Sequence, residues 1–563
     1  MIDAIQALSV VLILLVLIVI ARLIAPYIAG VFTRAPSRFD RILNPIENLI
    51  YKLCGVDPEL SMGWKQYFLA GLLLNIAQMV LAFLILTFQG SLPLNSEVFI
   101  QNAKPVLVHF PGMRWDLAFN TVVSFATNTN LQHYNGETTL SVFSQMTAIQ
   151  FLQFTSAATG ICMGVAMVRG FIVGSKNLGN FYVDFVRALT RILIPMCLIA
   201  ALVLVWMGVP QTLNGYTLVG TIEGARQSIL VGPVASLVSI MQLGTNGGGY
   251  YGANSAYPFQ NPSPYSNILE MCLMLLLPTT LIFVFGELLG KKREARPILI
   301  GAYALFGIDL AIAFAPLIPS GAGIETRIGG FYSTFWTVVT TAVTTGSVNT
   351  SLSAMHPLTI VSALVGMMIQ STPGGKGVGL MYMIMYIVIT VFIVGLMSGR
   401  TPEYLGIKIT GRDVKLVMVA FLIHPLIILI PTVLAYATGA AAAIGVGTGS
   451  VGFTQILYEF TSAAANNGSS FLGATANTPF FNISTAIVIF IGRYAPIGIL
   501  LALAGSMIGR NRVTTVGLKT DSVVFSVVLV GSIIILVVLT FFPFLALGPL
   551  LSFFRGKVNG FGQ

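Results

Sequence analysis

Charge is what this sequence has least of. Asp, Glu, Lys and Arg make up 9% of its 563 residues, while 56% are hydrophobic. A soluble globular domain carries roughly 25% charge, so that class is excluded and the chain belongs in lipid. Cysteine and histidine are scarce as well, with four of each. Cys54, Cys162, Cys197 and Cys272 form no CxxC pair and no Cys/His spacing, which argues against a metal site. They read as core thiols, three of them in apolar runs. No paired carboxylates, histidine cluster or Ser/His/Asp set points to an enzyme working within the membrane. "PGGKG" at 373–377 imitates a phosphate loop. It fails because Gly377 follows Lys376 where Ser or Thr is required, and no Gly sits at the upstream spacing. Long linkers, charge blocks and low-complexity tracts are missing too, so 1–563 reads as one membrane domain.

Apolar runs are abundant. A spanning helix needs roughly 20 apolar residues, and ten candidates meet that need: 4–24, 67–87, 146–168, 192–209, 267–289, 298–318, a broken one at 358–398, 416–437, 483–508 and 523–547. The first is too long for a cleaved signal and lacks a basic start and a small-residue cleavage site. The net charge of +10 reads as positive charge in cytoplasmic loops, not as affinity for nucleic acid. With the N-terminus outside, 21 of the 29 Lys and Arg fall in inner segments. These include Arg22, Arg169, Arg191, Lys291, Arg400, Arg510 and Arg512. Lys376 and Arg493 fall within the membrane.

The chain repeats itself. "SFATNTN" (124–130), "QLGTNGG" (242–248), "AVTTGSV" (342–348) and "SAAANNGS" (462–469) look alike, with Thr127, Thr245, Thr345 and Asn466 as markers 118, 100 and 121 residues apart. Each follows a semi-polar run too short to span, at 115–126, 233–243, 331–343 and 453–464, and each lies between two long apolar helices. Internal repeats settle the architecture. The expectation is an all-α polytopic membrane protein of ten transmembrane helices. Four helix–pore-helix–loop–helix repeats (63–170, 188–290, 298–400 with its last helix broken, and 414–510) surround a pseudo-fourfold axis. One extra helix stands at each end, within 1–30 and 520–550.

Non-helical backbone at membrane depth survives only where protein buries it or where it lines a water path. Loops of Thr, Asn and Gly leave their carbonyls free, and four loops about an axis make rings of oxygen that replace a cation's hydration shell. None of the four stretches holds Asp or Glu, which Ca²⁺ or Mg²⁺ would want. The short helices end at the loops and turn their negative dipole ends toward the ion. Potassium is the natural candidate. Four unrelated turns at helix ends are the competing explanation. It is weakened because each loop follows a half-helix between two spans.

The runs "NGETTLSVFSQM", "GPVASLVSIMQLGTNGGGYYGANSAYPFQNP", "GRTPEYLG" and "SAAANNGSSFLGATANTPF" resemble those of the KdpA family, the potassium-binding subunits of the bacterial Kdp potassium-transporting ATPase, along nearly the whole chain. The resemblance implies that this chain holds the filter and takes up K⁺ from outside across the bacterial inner membrane. A P-type ATPase subunit (KdpB) would hydrolyse ATP, and a single-span subunit (KdpC) and a small membrane peptide (KdpF) would complete the complex. The chain has no "DKTG" phosphorylation motif, so no nucleotide is expected on it. Matched residue by residue, the filter is Asn128, Thr129 and Asn130; Thr245, Asn246 and Gly247; Thr344, Thr345, Gly346 and Ser347; and Asn466, Asn467 and Gly468. Gln132 matches an outer-mouth position or caps its loop.

Two features depart from the family. Its third filter often reads Cys-Gly where this chain has Thr345-Gly346, and its broken helix often has a Glu ahead of the glycines. Here "STPGGKGVG" (371–379) has no acid and carries Lys376. Pro373, Gly374 and Gly375 interrupt the helix. With Lys376 and Gly377 they form a candidate gate below the third filter loop, where the ammonium can occupy a cation site, repel an ion, or merely reach the inner interface. Arg493 in "FIGRYAP" matches a family arginine at mid-membrane, where a charge is a functional candidate. Otherwise it is a structural charge paired with Asp309 or Glu459. Asp309 by itself has no motif and reads as structural. A self-sufficient potassium channel or symporter of the same superfamily is the alternative to a pump subunit.

Overall fold

The computed structural model describes residues 4–101, 104–316, 324–511 and 519–558. Ten helices among them are long and apolar enough to cross a membrane: Ile5–Thr33, Trp64–Thr87, Val142–Arg169, Phe181–Trp206, Pro264–Leu288, Lys292–Phe314, Val378–Met397, Gly411–Ala437, Pro479–Met507 and Val523–Arg555. Each overlaps one expected span. Several begin a turn or more earlier, because polar first turns form helix without looking apolar. Asn180 caps one such start by accepting from the Tyr182 and Val183 amides at 3.0 and 3.3 Å. Thr410 and Asp413 box another, the Asp413 carboxylate accepting from the Thr410 amide at 2.8 Å. The expected span 298–318 ends at residues that lie outside those described, as does Arg512.

Four shorter helices lie between the spans: Trp115–Ala126, Val234–Leu243, Gly329–Ala342 and Ser450–Ala464. At 1.5 Å per residue the first reaches only about 18 Å, short of a hydrocarbon core of about 30 Å. Their loop-side turns are enclosed by the long helices, with Phe125, Leu237, Trp336 and Phe460 shut off from solvent and lipid, while Trp115 and Val451 near their starts are exposed. The broken span is a helix Pro357–Ile369, a non-helical stretch at 370–377, and Val378–Met397. Ile5–Thr33 and Val523–Arg555 are mostly lipid-facing, and the former packs along Pro264–Leu288.

The segments assigned to one side of the membrane touch one another. Arg169 reaches the Phe32 carbonyl, Met62 bonds Gly179, Thr520 bonds Glu294, and Arg510 bonds the Lys408 carbonyl. On the other side Arg114 bonds Asn477, Gln132 bonds Gly249 and Arg327 bonds the Ala256 carbonyl. Several arginines of the side expected to be inner are clamped rather than free. Arg169 grips Asp184 at 2.5 and 2.9 Å, and Arg510 grips Asp413 at 2.7 and 2.8 Å.

Hydropathy gave no sign of the helix Asp40–Cys54, because it is amphipathic. Ile42, Ile46, Leu49 and Leu53 form an exposed apolar stripe, the pattern of a helix lying in the membrane interface. Its other face turns Glu47 onto Arg191, at 2.6 Å to Nε and 2.9 Å to Nη2. Among the described residues three two-stranded hairpins also decorate the helical body: Ser96–Gln101 with Lys104–His109, Tyr216–Gly220 with Arg226–Leu230, and Glu403–Tyr404 with Ile407–Lys408. The reading of all four cysteines as core thiols needs correction. Cys162 and Cys197 are buried and Cys272 is partly so, but Cys54 ends the interfacial helix and is exposed.

Candidate functional site

Each short helix runs into one of the four small-residue loops, and the loops share one backbone pattern. Left-handed φ falls on the first and third residues: Asn128 (68°) and Asn130 (57°), Thr245 (42°) and Gly247 (94°), Thr344 (47°) and Gly346 (90°), Asn466 (53°) and Gly468 (104°). The residue between each pair is not left-handed. Such alternation turns successive peptide planes to the same side, so a row of carbonyls can face one direction. The pattern also resets the register. Thr127, Gly244, Val343 and Ala465 are the helix C-caps. Thr127 and Thr345, used as markers with Thr245 and Asn466, are therefore each one residue out of step. Composition alone cannot see such a shift, because the neighbouring residues are equally small and polar.

The loop amides are satisfied from behind. Thr129 N and Asn130 N donate to the Ser124 carbonyl (2.9 and 3.1 Å), Asn246 N to Met241 (2.8 Å), Thr345 N to Thr340 (2.8 Å) and Asn467 N to Ser462 (2.9 Å). The carbonyls of Asn128, Thr129, Asn246, Thr344, Thr345, Asn466 and Asn467 accept no backbone hydrogen bond among the described residues. Buried carbonyls are normally paired, so this row of unpaired oxygens is unusual and lies where a cation could accept them.

The loops close into a ring. A Cβ on Gly247 would collide with the Thr345 carbonyl oxygen, one on Gly346 with that of Asn467, and one on Gly468 with that of Thr129. The first and second loops meet directly: Asn128 Nδ2 donates to the Thr245 carbonyl at 2.6 Å. The order around the ring is therefore the chain order. Gln132 clips the outer edge, its amide exchanging bonds with Gly249 at 3.0 and 3.2 Å. Ser347, the last residue assigned to the third loop, accepts at its carbonyl from Trp336 Nε1 at 2.8 Å and at its hydroxyl from Gln242 Nε2 at 3.0 Å, so it braces from behind.

The middle side chains of two loops point away from the row of carbonyls. Asn246 Nδ2 donates to the Gln153 and Ile240 carbonyls, both at 3.1 Å, and Asn467 Nδ2 to the Thr340 carbonyl at 3.0 Å. Thr345, where the family often has Cys, keeps a buried hydroxyl with no partner among the described residues. Behind the ring lie two carboxylates that sequence reasoning missed as braces. Glu270 accepts from Gln242 at 2.7 Å and from Ser255 at 2.8 Å. Glu459 accepts from Ser470 at 2.5 Å and faces His133 Nε2 at 3.2 Å. A lone Glu inside an apolar run, as in "NILEMCLM", was the available signal, since a charge there is costly unless it has work and partners.

Beneath the ring lies the interruption of the broken span. Gly374 N donates to the Ala342 carbonyl at 2.9 Å, and a Cβ on Gly375 would strike Thr344 Oγ1. Gly377 (φ 78°) abuts the Gly160 carbonyl, leaving no room for a side chain. Lys376 is 2% exposed; its Nζ donates to Asn128 Oδ1 at 2.8 Å, to Thr245 Oγ1 at 3.2 Å and to the Gly244 carbonyl. It does not reach an inner interface. Arg493 comes to the same place from another helix: a Cβ on Gly160 would lie 2.9 Å from Arg493 Nη2 and 3.0 Å from the Lys376 carbonyl. Neither expected partner pairs with Arg493. Glu459 is taken by His133, and the Asp309 carboxylate is buried without a hydrogen bond among the described residues. Its Oδ2 faces Gly366, 3.4 Å from where a Cβ would stand.

The sequence and fold have known relatives. Residues 11–554 match the family described as "Potassium-transporting ATPase A subunit" (KdpA). The chain is 43% identical to the potassium-transporting ATPase potassium-binding subunit of Caldanaerobacter subterraneus subsp. tengcongensis, over 96% of this chain and 97% of that protein. Among solved structures it resembles the potassium transporter TrkH of Vibrio parahaemolyticus, with a TM-score of 0.50 and 15% identity over 89% of this chain and 98% of that one. That likeness speaks to fold alone. The chain belongs to the KdpA family of potassium-transporting ATPases' potassium-binding subunits.

Proposed function

We propose that this chain is the potassium-binding subunit of a potassium-transporting ATPase. The observation that carries the reading is the ring itself: four loops with alternating left-handed residues, closed on one another, with unpaired carbonyls. A K⁺ ion entering from the outer face sheds its water onto these oxygens. The four short helices direct their negative ends at the same point. Asn246 and Asn467 hold the loops from behind, so the ring resists collapsing onto a smaller ion. Filter residues are those named above, with Gln132 at the rim.

The interruption at Gly374–Gly377 and Arg493 lie across the direct route below the ring. A channel would leave that route open. Here an ion is turned aside, toward a partner that spends ATP, and Arg493 repels it from leaking inward. We assign ATP hydrolysis to a KdpB-like subunit, with KdpC-like and KdpF-like chains completing the assembly. The membrane is the bacterial inner membrane and the N-terminus lies outside.

Purification from native membranes in mild detergent tests this. Co-purification with a K⁺-stimulated ATPase is the expected result. A lone chain that conducts K⁺ in vesicles without ATP would establish the channel or symporter reading instead.

A further inference from the structure

Below the ring the molecule already holds a cation of its own. Lys376 carries three N–H donors and no acceptor, and three oxygens surround its Nζ: the Gly244 carbonyl, Asn128 Oδ1 and Thr245 Oγ1. All three belong to the first and second filter loops or to the helix cap leading into them. None is a carboxylate, and no ion pair of Lys376 exists among the described residues. A buried ammonium without a counter-ion is costly. The compensation on hand is neutral oxygen together with the negative ends of the helices Trp115–Ala126 and Val234–Leu243, whose caps adjoin these residues. That is the same solvation the ring would offer a potassium ion.

We propose that the ammonium of Lys376 occupies the innermost monovalent-cation position of the filter, bounded by Gly244, Asn128 and Thr245, as a tethered ion that an arriving potassium must displace. This rests on the filter reading above and adds to it. The loop's shape supports it independently. Gly375 brings the backbone against Thr344, and Gly377 lies against Gly160, so the Lys376 side chain between them stands directly under the ring. A tether makes the block ionic rather than steric: potassium competes with it. A site that is free one-tenth of the time binds about tenfold more weakly. The lysine therefore lowers the apparent affinity of the innermost position and keeps it plugged by charge when potassium is low. Arg493, across Gly160, adds a second positive charge that disfavours the displaced ion's direct descent.

The test uses thallium as a potassium substitute visible by its anomalous scattering, on the chain purified with whatever subunits accompany it. Wild type, Lys376→Met and Lys376→Gln are compared; the Gln variant keeps a polar group should Met prevent assembly. The expected result is thallium among the loop carbonyls in all three, and at the position beside Gly244, Asn128 and Thr245 in the variants alone. Potassium titration should then show half-saturation at roughly one-tenth the wild-type concentration, or less, in the variants. Thallium at that position in wild type, or in none of the three while the upper ring is filled, overturns the tethered-ion proposal and leaves the filter standing. An empty ring in all three overturns the filter reading, and this proposal with it.

Discussion

Substituting Gly468 by Ala attacks the ring at one defined point. Gly468 has φ 104°, and a Cβ there meets the Thr129 carbonyl oxygen of the next loop. A side chain in a left-handed conformation costs about 1–2 kcal/mol. Forcing an extra carbon into a packed site costs typically about 1–3 kcal/mol more. Together the native loop geometry is disfavoured by about 2–5 kcal/mol, which is roughly 30- to 4,000-fold in an equilibrium constant. The surrounding helices hold the loop ends, so the strain is relieved by swinging the Thr129 carbonyl away, and ion binding bears the loss. Gly346→Ala should behave alike against the Asn467 carbonyl. The first loop supplies the control: Asn130 already occupies the equivalent position with φ 57°, so Asn130→Gly should change little. The readout is the K⁺ concentration for half-maximal ATPase activity of the purified complex. If Gly468→Ala and Gly346→Ala both assemble and keep wild-type half-saturation, the ring is not where potassium binds.

Gly247→Asp or Gly468→Asp should abolish the preference for K⁺ over Na⁺ in ion-stimulated ATPase activity, because a fixed charge is added where the proposed filter would hold the ion. An unchanged preference in both removes these loops from the filter. Arg493→Ala should uncouple hydrolysis from transport or raise passive flux; wild-type coupling would return Arg493 to a purely structural role. Lys376→Ala, or deletion of 374–377, should let potassium-loaded liposomes leak without ATP, and no excess efflux in either would mean the interruption is not the gate. Glu47→Ala leaves Arg191 with Asp40 at 2.5 Å and Asn44 at 2.6 Å, and by breaking a buried ion pair should destabilise the chain by up to about 3–5 kcal/mol. Thermal unfolding in detergent reads this, and a shift worth less than about 1 kcal/mol would show the Asp40 and Asn44 contacts suffice.

Hydropathy located ten crossings because burial in lipid needs only length and apolar side chains, both properties of a single segment. The first short helix was placed at 115–126, the observed bounds, and the others to within about three residues. The length of a semi-polar run ahead of a small-residue loop limits such a helix regardless of its neighbours. The interfacial helix Asp40–Cys54 escaped for the complementary reason: half its face is polar, so its mean hydropathy is unremarkable while its arrangement is not.

What the sequence determined, then, is local: which segments cross, which stop short, and that four loops of small polar residues without acid follow the short ones. The tertiary structure decided what those loops do to one another. Register was one such matter, because moving Thr127 to Asn128 leaves composition almost unchanged yet exchanges a helix cap for the first left-handed residue. Partner choice was another. Glu459 and Arg493 are both rare charges in apolar runs, and pairing them was reasonable by charge alone; packing gave Glu459 to His133 and left Arg493 beside the Lys376 backbone. Lys376 itself could have pointed anywhere within the reach of its stem. Its contact with the first two loops depends on Gly375 meeting Thr344 and Gly377 meeting Gly160, three separate parts of the chain, a coincidence in space that no local pattern encodes.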